Sequence, residues 1–186
     1  MRIVVSLVAA IALTRAVTAT VIVPADFREV VAGSQIIVVG RVIDVRAEWA
    51  DGRRQINSYV TVDVASTLKG TVGETVTFLV PGGQLGRYRS VMIGAPVFAP
   101  GDEAMLFLDA RGTIPHVFGL NQGVYRVQVD MRNGRRMVLP PLLSRGETPE
   151  IVRRGAPDRV PVPLETFAAQ VRAIVAEGAG AGGAGR

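Results

Sequence analysis

The sequence predicts a small closed all-β barrel of five or six strands, with a short N-terminal helix and a C-terminal helix. Three observations carry this. Valine-rich apolar segments recur between clusters of Gly, Pro, Asn and Asp, the pattern of short strands joined by turns. The clearest segment, Tyr59 to Val64, alternates strictly: Val60, Val62 and Val64 face one way, and Tyr59, Thr61 and Asp63 the other. The long first segment carries Gly40 in its middle. Glycine weakens a flat strand but permits the sharp bend or bulge of a barrel corner. Closure also removes the exposed edges that such apolar strands would otherwise present.

The elements follow in chain order. After Met1-Arg2, an apolar run of 11 residues from Ile3 to Leu13 is broken only by Ser6, and Val17-Thr18-Ala19 supplies small residues. Residues 1–19 therefore read as an export signal cleaved after Ala19. The run is too short to cross a bilayer, which takes about 20 residues. Removing it leaves 167 of the 186 residues, enough for one domain with its own core. Arg2 and Arg15 leave with the leader, so the formal charge falls from +5 to +3.

Pro24 to Glu29 opens a short helix, with Asp26 as the cap and Glu29 as the other half of a capping box. Gly33-Ser34 closes it. Gln35 to Arg46 is the first strand, and Asp51-Gly52 is a turn signal. The second strand, Tyr59 to Val64, ends near Leu68-Lys69-Gly70. The third, Thr75 to Val80, turns Val76, Phe78 and Val80 inward. Pro81 to Glu103 is long, rich in Gly and Pro, and is expected to hold no regular structure. Ala104 to Asp109 and Val117 to Leu120 are short strands. Val124 to Asp130 and Arg135 to Leu139 pair across Asn133-Gly134, a type I′ hairpin signal.

Residues 140–162 hold Pro140, Pro141, Pro149, Pro157 and Pro161 and read as irregular. A helix then runs from Leu164 to Glu177, with Leu164, Phe167, Val171, Ile174 and Val175 on the face that packs against the barrel. Gly178 is expected to stop it, leaving a disordered Gly/Ala tail. The expected layout is a leader at 1–19, a barrel at 20–140, an irregular segment and packing helix at 141–177, and a tail at 178–186.

Composition narrows the chemistry. There is no cysteine, which excludes disulfides, thiolate zinc sites, cysteine nucleophiles and a lipid-bearing cysteine. With the leader, this points to an exported protein of a bacterial envelope, periplasmic or extracellular, held together by burial alone. No second apolar run approaches membrane length, so no transmembrane anchor is expected after cleavage. Lys69 is the only lysine; the excess of arginine, with abundant Ala, Gly and Val, fits a GC-rich genome.

His116 is the only histidine, too few imidazoles for zinc without cysteine. None of Ser34, Ser58, Ser66, Ser90 and Ser144 lies in Gly-x-Ser-x-Gly. Asp102 and Glu103 are adjacent, so on a strand they point to opposite faces, poor geometry for paired acid–base work. Gly82-Gly83-x-x-Gly86 lacks the Lys-Ser/Thr of a phosphate loop, and no calcium-loop alternation occurs. No cofactor or metal is expected.

Arg53-Arg54, Arg135-Arg136 and Arg153-Arg154 are basic pairs near turns. Aromatic residues are only 5%, with Trp49, Tyr59 and Tyr125 the candidates for exposure. That is no stacking platform, so nucleic acid is not expected as a partner. The candidate binding residues are Gln84, Arg87, Tyr88 and Arg89, at the centre of the 81–103 segment, because long ordered loops carry function.

The order of motifs adds a resemblance. It runs Ser34-x-Ile36-Ile37-Val38-Val39-Gly40-x-Val42, Tyr59-x-Thr61-x-x-Val64 and Leu68-Lys69-Gly70. It continues through Pro81-Gly82-Gly83-x-x-Gly86, Gly94-x-Pro96-x-Phe98-x-x-Gly101, Leu106-Phe107-Leu108 and Gly119-Leu120-x-Gln122-Gly123. Over about residues 26–130 the chain resembles a family of uncharacterised exported bacterial proteins. More remotely it is similar to the netrin module of tissue inhibitors of metalloproteinases. That module is a five-stranded barrel of the oligonucleotide/oligosaccharide-binding (OB) type. The resemblance implies an OB-like barrel in which Gly40, Lys69, Gly70, Gly82, Gly83, Gly86 and Gly101 are structural positions. Those inhibitors hold the protease zinc through an N-terminal cysteine. This chain has none, and its start after cleavage is Thr20-Val21-Ile22.

Three functions follow as expectations. The first is an exported non-catalytic interaction module that binds a protein or envelope component through residues 81–103. The alternatives are a protease-regulating netrin-like module and an exported hydrolase using His116 with Asp102 or Glu103.

Overall fold

Two strands of 15 residues each, β1 (Ile36–Ala50) and β2 (Gln55–Lys69), set the architecture. The computed structural model describes residues 25–141 and 160–183. The expected leader, most of the 141–162 segment and the last three residues of the expected tail lie outside the described residues. The remaining strands are β3 (Thr75–Pro81), β4 (Gly83–Leu85), β5 (Tyr88–Ser90), β6 (Glu103–Asp109), β7 (His116–Val117), β8 (Val124–Val129), β9 (Arg136–Leu139) and β10 (Val162–Pro163). Helix α1 (Phe27–Gly33) precedes the barrel and α2 (Leu164–Gly183) follows it.

The sheet runs β1-β2-β3-β7-β6 and closes where β6 pairs with β1. This is the expected closed, OB-like barrel, with five strands where five or six were expected. The β3–β7 pair is parallel, through Leu79 and His116; the other pairs are antiparallel. On its side away from β1, β6 is shared. Residues 108–109 face β7 and residues 104–106 face β8, which carries the sheet on to β9 and β10.

Gly40 lies where the bend was expected. The β1–β2 register shifts between Val39 and Gly40, and Gly40 is flanked by Val64 on one side and Ala104 on the other. A Cβ there would sit 2.4 Å from the Asp63 carbonyl oxygen and from Val62 Cγ1. Only glycine lets β2 approach so closely at the corner.

Two apolar clusters share the central strands. Inside the barrel lie Val38, Val42, Val60, Val62, Phe78, Leu106 and Leu108. Between barrel and helices lie Ile37, Val39, Met105, Phe107, Val30, Phe167 and Val171. β6 is buried on both faces, which is why it reads as an unbroken apolar run rather than an alternating one. Helix α1 forms the expected capping box: Asp26 Oδ1 accepts from Arg28 N at 3.0 Å, and Asp26 N donates to Glu29 Oε2 at 3.1 Å. Among the described residues, no helix is long and apolar enough to cross a membrane.

Four expectations are corrected. The 81–103 segment is not free of regular structure, because it holds the β4–β5 hairpin. Strands of three residues are too short for alternation to register in sequence. β7 ends at Val117 rather than Leu120, which sits in a turn at φ +60°. Asn133-Gly134 does not form a type I′ turn, which needs two positive φ angles; only Gly134 has one, at +70°. Instead Asn133 N and Gly134 N both donate to the Asp130 carbonyl, at 3.3 and 2.8 Å. The Asp130 carboxylate holds this wider loop by accepting from Arg132 N and Asn133 Nδ2. Finally, α2 passes through Gly178 to Gly183. Glycine is a poor helix former, but alanine alternates with it there and no proline interrupts the run.

Candidate functional site

The β1–β2 hairpin pairs along its length to Ala50 and Gln55, and the β4–β5 hairpin lies across its distal half. Gly82 N donates to the Ile56 carbonyl at 3.0 Å, and Ser58 Oγ donates to the Gly82 carbonyl at 2.8 Å. Gly83 approaches so closely that a Cβ would meet Ser58 Oγ at 2.6 Å. Gly86, at φ +60°, takes the first position of the two-residue turn that pairs Leu85 with Tyr88. The sequence-predicted residues Gln84, Arg87, Tyr88 and Arg89 are thus all exposed on one small hairpin. Tyr88 meets Trp49 edge-on at 5.2 Å. The Arg87 guanidinium lies 5.1 Å from the Tyr88 ring centroid and donates to its hydroxyl at 3.0 Å. Gln84 Nε2 donates locally, to the Gly86 carbonyl at 3.3 Å.

Beyond β5 the chain makes the site's main feature. Ala95 N donates to the Met92 carbonyl at 3.1 Å, and Gly94 has φ +84°. This is a tight turn of the type that requires positive φ at its third residue, and it puts Ile93 at the apex. Ile93 is 84% exposed, Val91 70% and Val97 82%, with Met92 and Tyr88 about half exposed. Both ends of the segment are fastened. At the far end, Phe98 returns to the barrel core against Phe78, with their centroids 5.4 Å apart. Arg126 stacks 5.0 Å from the Phe98 centroid, donates to the Val97 carbonyl and pairs with Asp102 at 2.5 Å. Gly101 N donates to the Val42 carbonyl, and Val42 N donates to the Asp102 carbonyl. The apolar tip is therefore presented from a segment anchored at both ends.

Sequence reasoning named Arg87, Tyr88 and Arg89 but missed Val91, Met92, Ile93 and Val97. The available signal was a run of three apolar residues inside a segment with no strand or helix period. Such a run is a fault in a folded surface unless it has a use. The charge pattern is a second signal: residues 75–101 contain no Asp or Glu, and Arg87 and Arg89 are their only charges.

The other structural glycines and Lys69 fall around the barrel. Gly70, at φ +81°, follows β2, and Gly101, at φ +95°, precedes β6. Lys69 Nζ donates to the Val31 and Ala32 carbonyls, at 2.8 and 3.1 Å, and so caps the C-terminal end of α1. Desolvation there pushes its pKa down.

His116 does not meet Asp102 or Glu103. It lies opposite Asp109, with Nε2 3.8 Å from Oδ2. Glu103 is six residues away along β6, roughly 20 Å at strand spacing. Asp102 is bound to Arg126, and Glu103 to Arg136 at 2.7 Å. Asp109 is itself gripped by Arg111, whose side-chain and backbone N–H groups hold its carboxyl well below the usual carboxylate range. Tyr125, expected at the surface, instead packs in an aromatic cluster with Phe107 and Phe167, at 5.2 and 5.0 Å.

Two cavities flank these features. One of about 160 Å³ lies under the segment between Leu79, Pro81, Pro96, His116 and Leu120. The other, about 330 Å³, lies between α1, α2 and β9, against Phe27, Tyr125, Val138 and Phe167. Among the described residues, no group of three or more His, Asp or Glu is gathered to hold a metal ion. Comparison with known protein families, curated proteins and solved structures returns no match for this chain.

Proposed function

We propose that this chain is an exported interaction module that binds a protein or envelope component through residues 81–103. One observation carries the reading: Tyr88, Val91, Met92, Ile93 and Val97 stand exposed on one segment that is fastened at both ends and carries two arginines. Exposed apolar groups rimmed by polar ones mark interaction sites. The pairing of the only histidine with Asp109, away from Asp102 and Glu103, supports a binding role over hydrolysis. The leader motif supports export.

The test is capture from envelope extract with the protein as bait. Ile93→Asp, Tyr88→Ala and Arg87→Ala are expected to lose the captured component. Met131→Asp, at an exposed position on the β8–β9 turn, is expected to keep it. Capture unchanged in all three of the first variants would refute the assignment. Cell fractionation is expected to place the protein outside the cytosol with Thr20 as its first residue; protein confined to the cytosol with Met1 retained would refute export.

A further inference from the structure

We infer that the component bound by the 81–103 surface is an anionic lipid surface, with Ile93 as the leading point of contact. This rests on the reading of that segment as the interaction surface and names its partner. Shape is the first ground. Ile93 sits at the apex of a tight turn, and Val91 and Val97, two residues before it and four after, are nearly as exposed. A stable protein interface needs about 800 Å² per partner with a packed centre. Three or four aliphatic side chains on one turn segment offer less than that. They suit a medium that flows around them, as acyl chains and headgroups do.

Charge is the second ground. With no carboxylate between Glu74 and Asp102, the tip and its hairpin are purely cationic. Nearby on β1 and its turn, Glu48 is paired with Arg46 and Asp51 with Arg54, both at 2.8 Å, so these acids are locally neutralised. Arg53 adds an exposed cation at the same turn. Anionic headgroups attract such arginines over about a Debye length. The Trp49–Tyr88 pair, on the hairpins that precede the tip in the chain, is the third ground. Such amphipathic rings settle at the headgroup level, with the apolar body inward and the polar atom in water. Apolar tip and arginines together satisfy the rule that durable peripheral attachment takes two signals.

The chain has no cysteine, so a single probe can be placed cleanly. Ile93→Cys and Met131→Cys are each labelled with an environment-sensitive fluorophore in the full chain. Each is then mixed with vesicles of phosphatidylcholine alone or with phosphatidylglycerol added. The probe at 93 is expected to shift to the blue with anionic vesicles only, and the probe at 131 to stay unchanged. Arg87→Glu with Arg89→Glu is expected to weaken the response about tenfold or more. Because the readout is local, vesicle attachment through another part of the chain does not move it. Matching urea midpoints for labelled and unlabelled protein verify the fold. Silence at 93, an equal response to neutral vesicles, or an equal response at 131 overturns the lipid assignment. Silence at 93 with protein capture that still depends on Ile93 leaves the interaction surface standing. Silence with capture independent of Ile93 removes both.

Discussion

Lys69 shows how much a single side chain does in this barrel. Its ammonium reaches from the end of β2 to two carbonyls that end helix α1, groups with no intrahelical partner. Lys69→Met keeps the stem and removes the donors, so it is expected to cost roughly 1–3 kcal/mol, read as a lower urea midpoint at unchanged slope. Asp109 makes a different kind of contribution. Because Arg111 favours its ionised form, the folded carboxyl binds a proton less readily than the unfolded one. The unfolded chain takes up that proton near pH 4, so the contribution is complete above that pH and fades as the medium becomes more acid. Asp109→Asn is therefore expected to be less stable than the parent at neutral pH. The gap between their urea midpoints should narrow steadily from about pH 5 to about pH 2.5. A constant gap would show that the ion pair is not the source.

At the scale of elements, the readable parts were those in which local chemistry and burial agree. The α1 capping box, the alternation of β2 and the apolar run of β6 are each dictated by a few neighbouring residues, and the bend at Gly40 is marked by its residue type alone. The parts that escaped depend on distant partners. The β4–β5 hairpin exists because Gly82 and Gly83 lie on Ile56 and Ser58, about 25 residues earlier in the chain. The turn at 131–134 is the local exception, selected by the neighbouring Asp130 side chain over the Asn-Gly preference. Tyr125 is drawn inward by Phe27 and Phe167, from both ends of the sequence. Within the candidate site, Arg126 is such a distant partner. It clamps Val97 and Asp102 from β8, and no local pattern announces it. Arg126→Met retains the apolar stem but removes the clamp. Amide exchange at Ala99, Gly101 and Asp102 is expected to accelerate, while that of β1 and β2 stays slow. Uniform acceleration through the barrel would instead make Arg126 a general stabiliser.

For the whole molecule, the two sets of apolar side chains have opposite fates, and that separates stability from interaction. The chain has no disulfide to constrain it, so its fold rests on burial in the barrel and in the layer between barrel and helices. Phe167 stands at the centre of that layer, against Phe27 and Tyr125. Phe167→Ala is expected to cost about 3–5 kcal/mol, through lost transfer energy and the cavity left behind. Ile93 has almost no protein around it to lose, so Ile93→Ser is expected to change stability by no more than about 0.5 kcal/mol. An isoleucine placed in water by a fold that buries Ile37 and Ile56 completely gains nothing for that fold. Parallel urea titrations with binding assays on the two variants test this. Phe167→Ala should lower the midpoint yet bind normally wherever it remains folded, and Ile93→Ser should keep the midpoint and lose binding. If Ile93→Ser also unfolded the chain, the tip would be a support of the barrel, and the separation of fold from contact surface would fail.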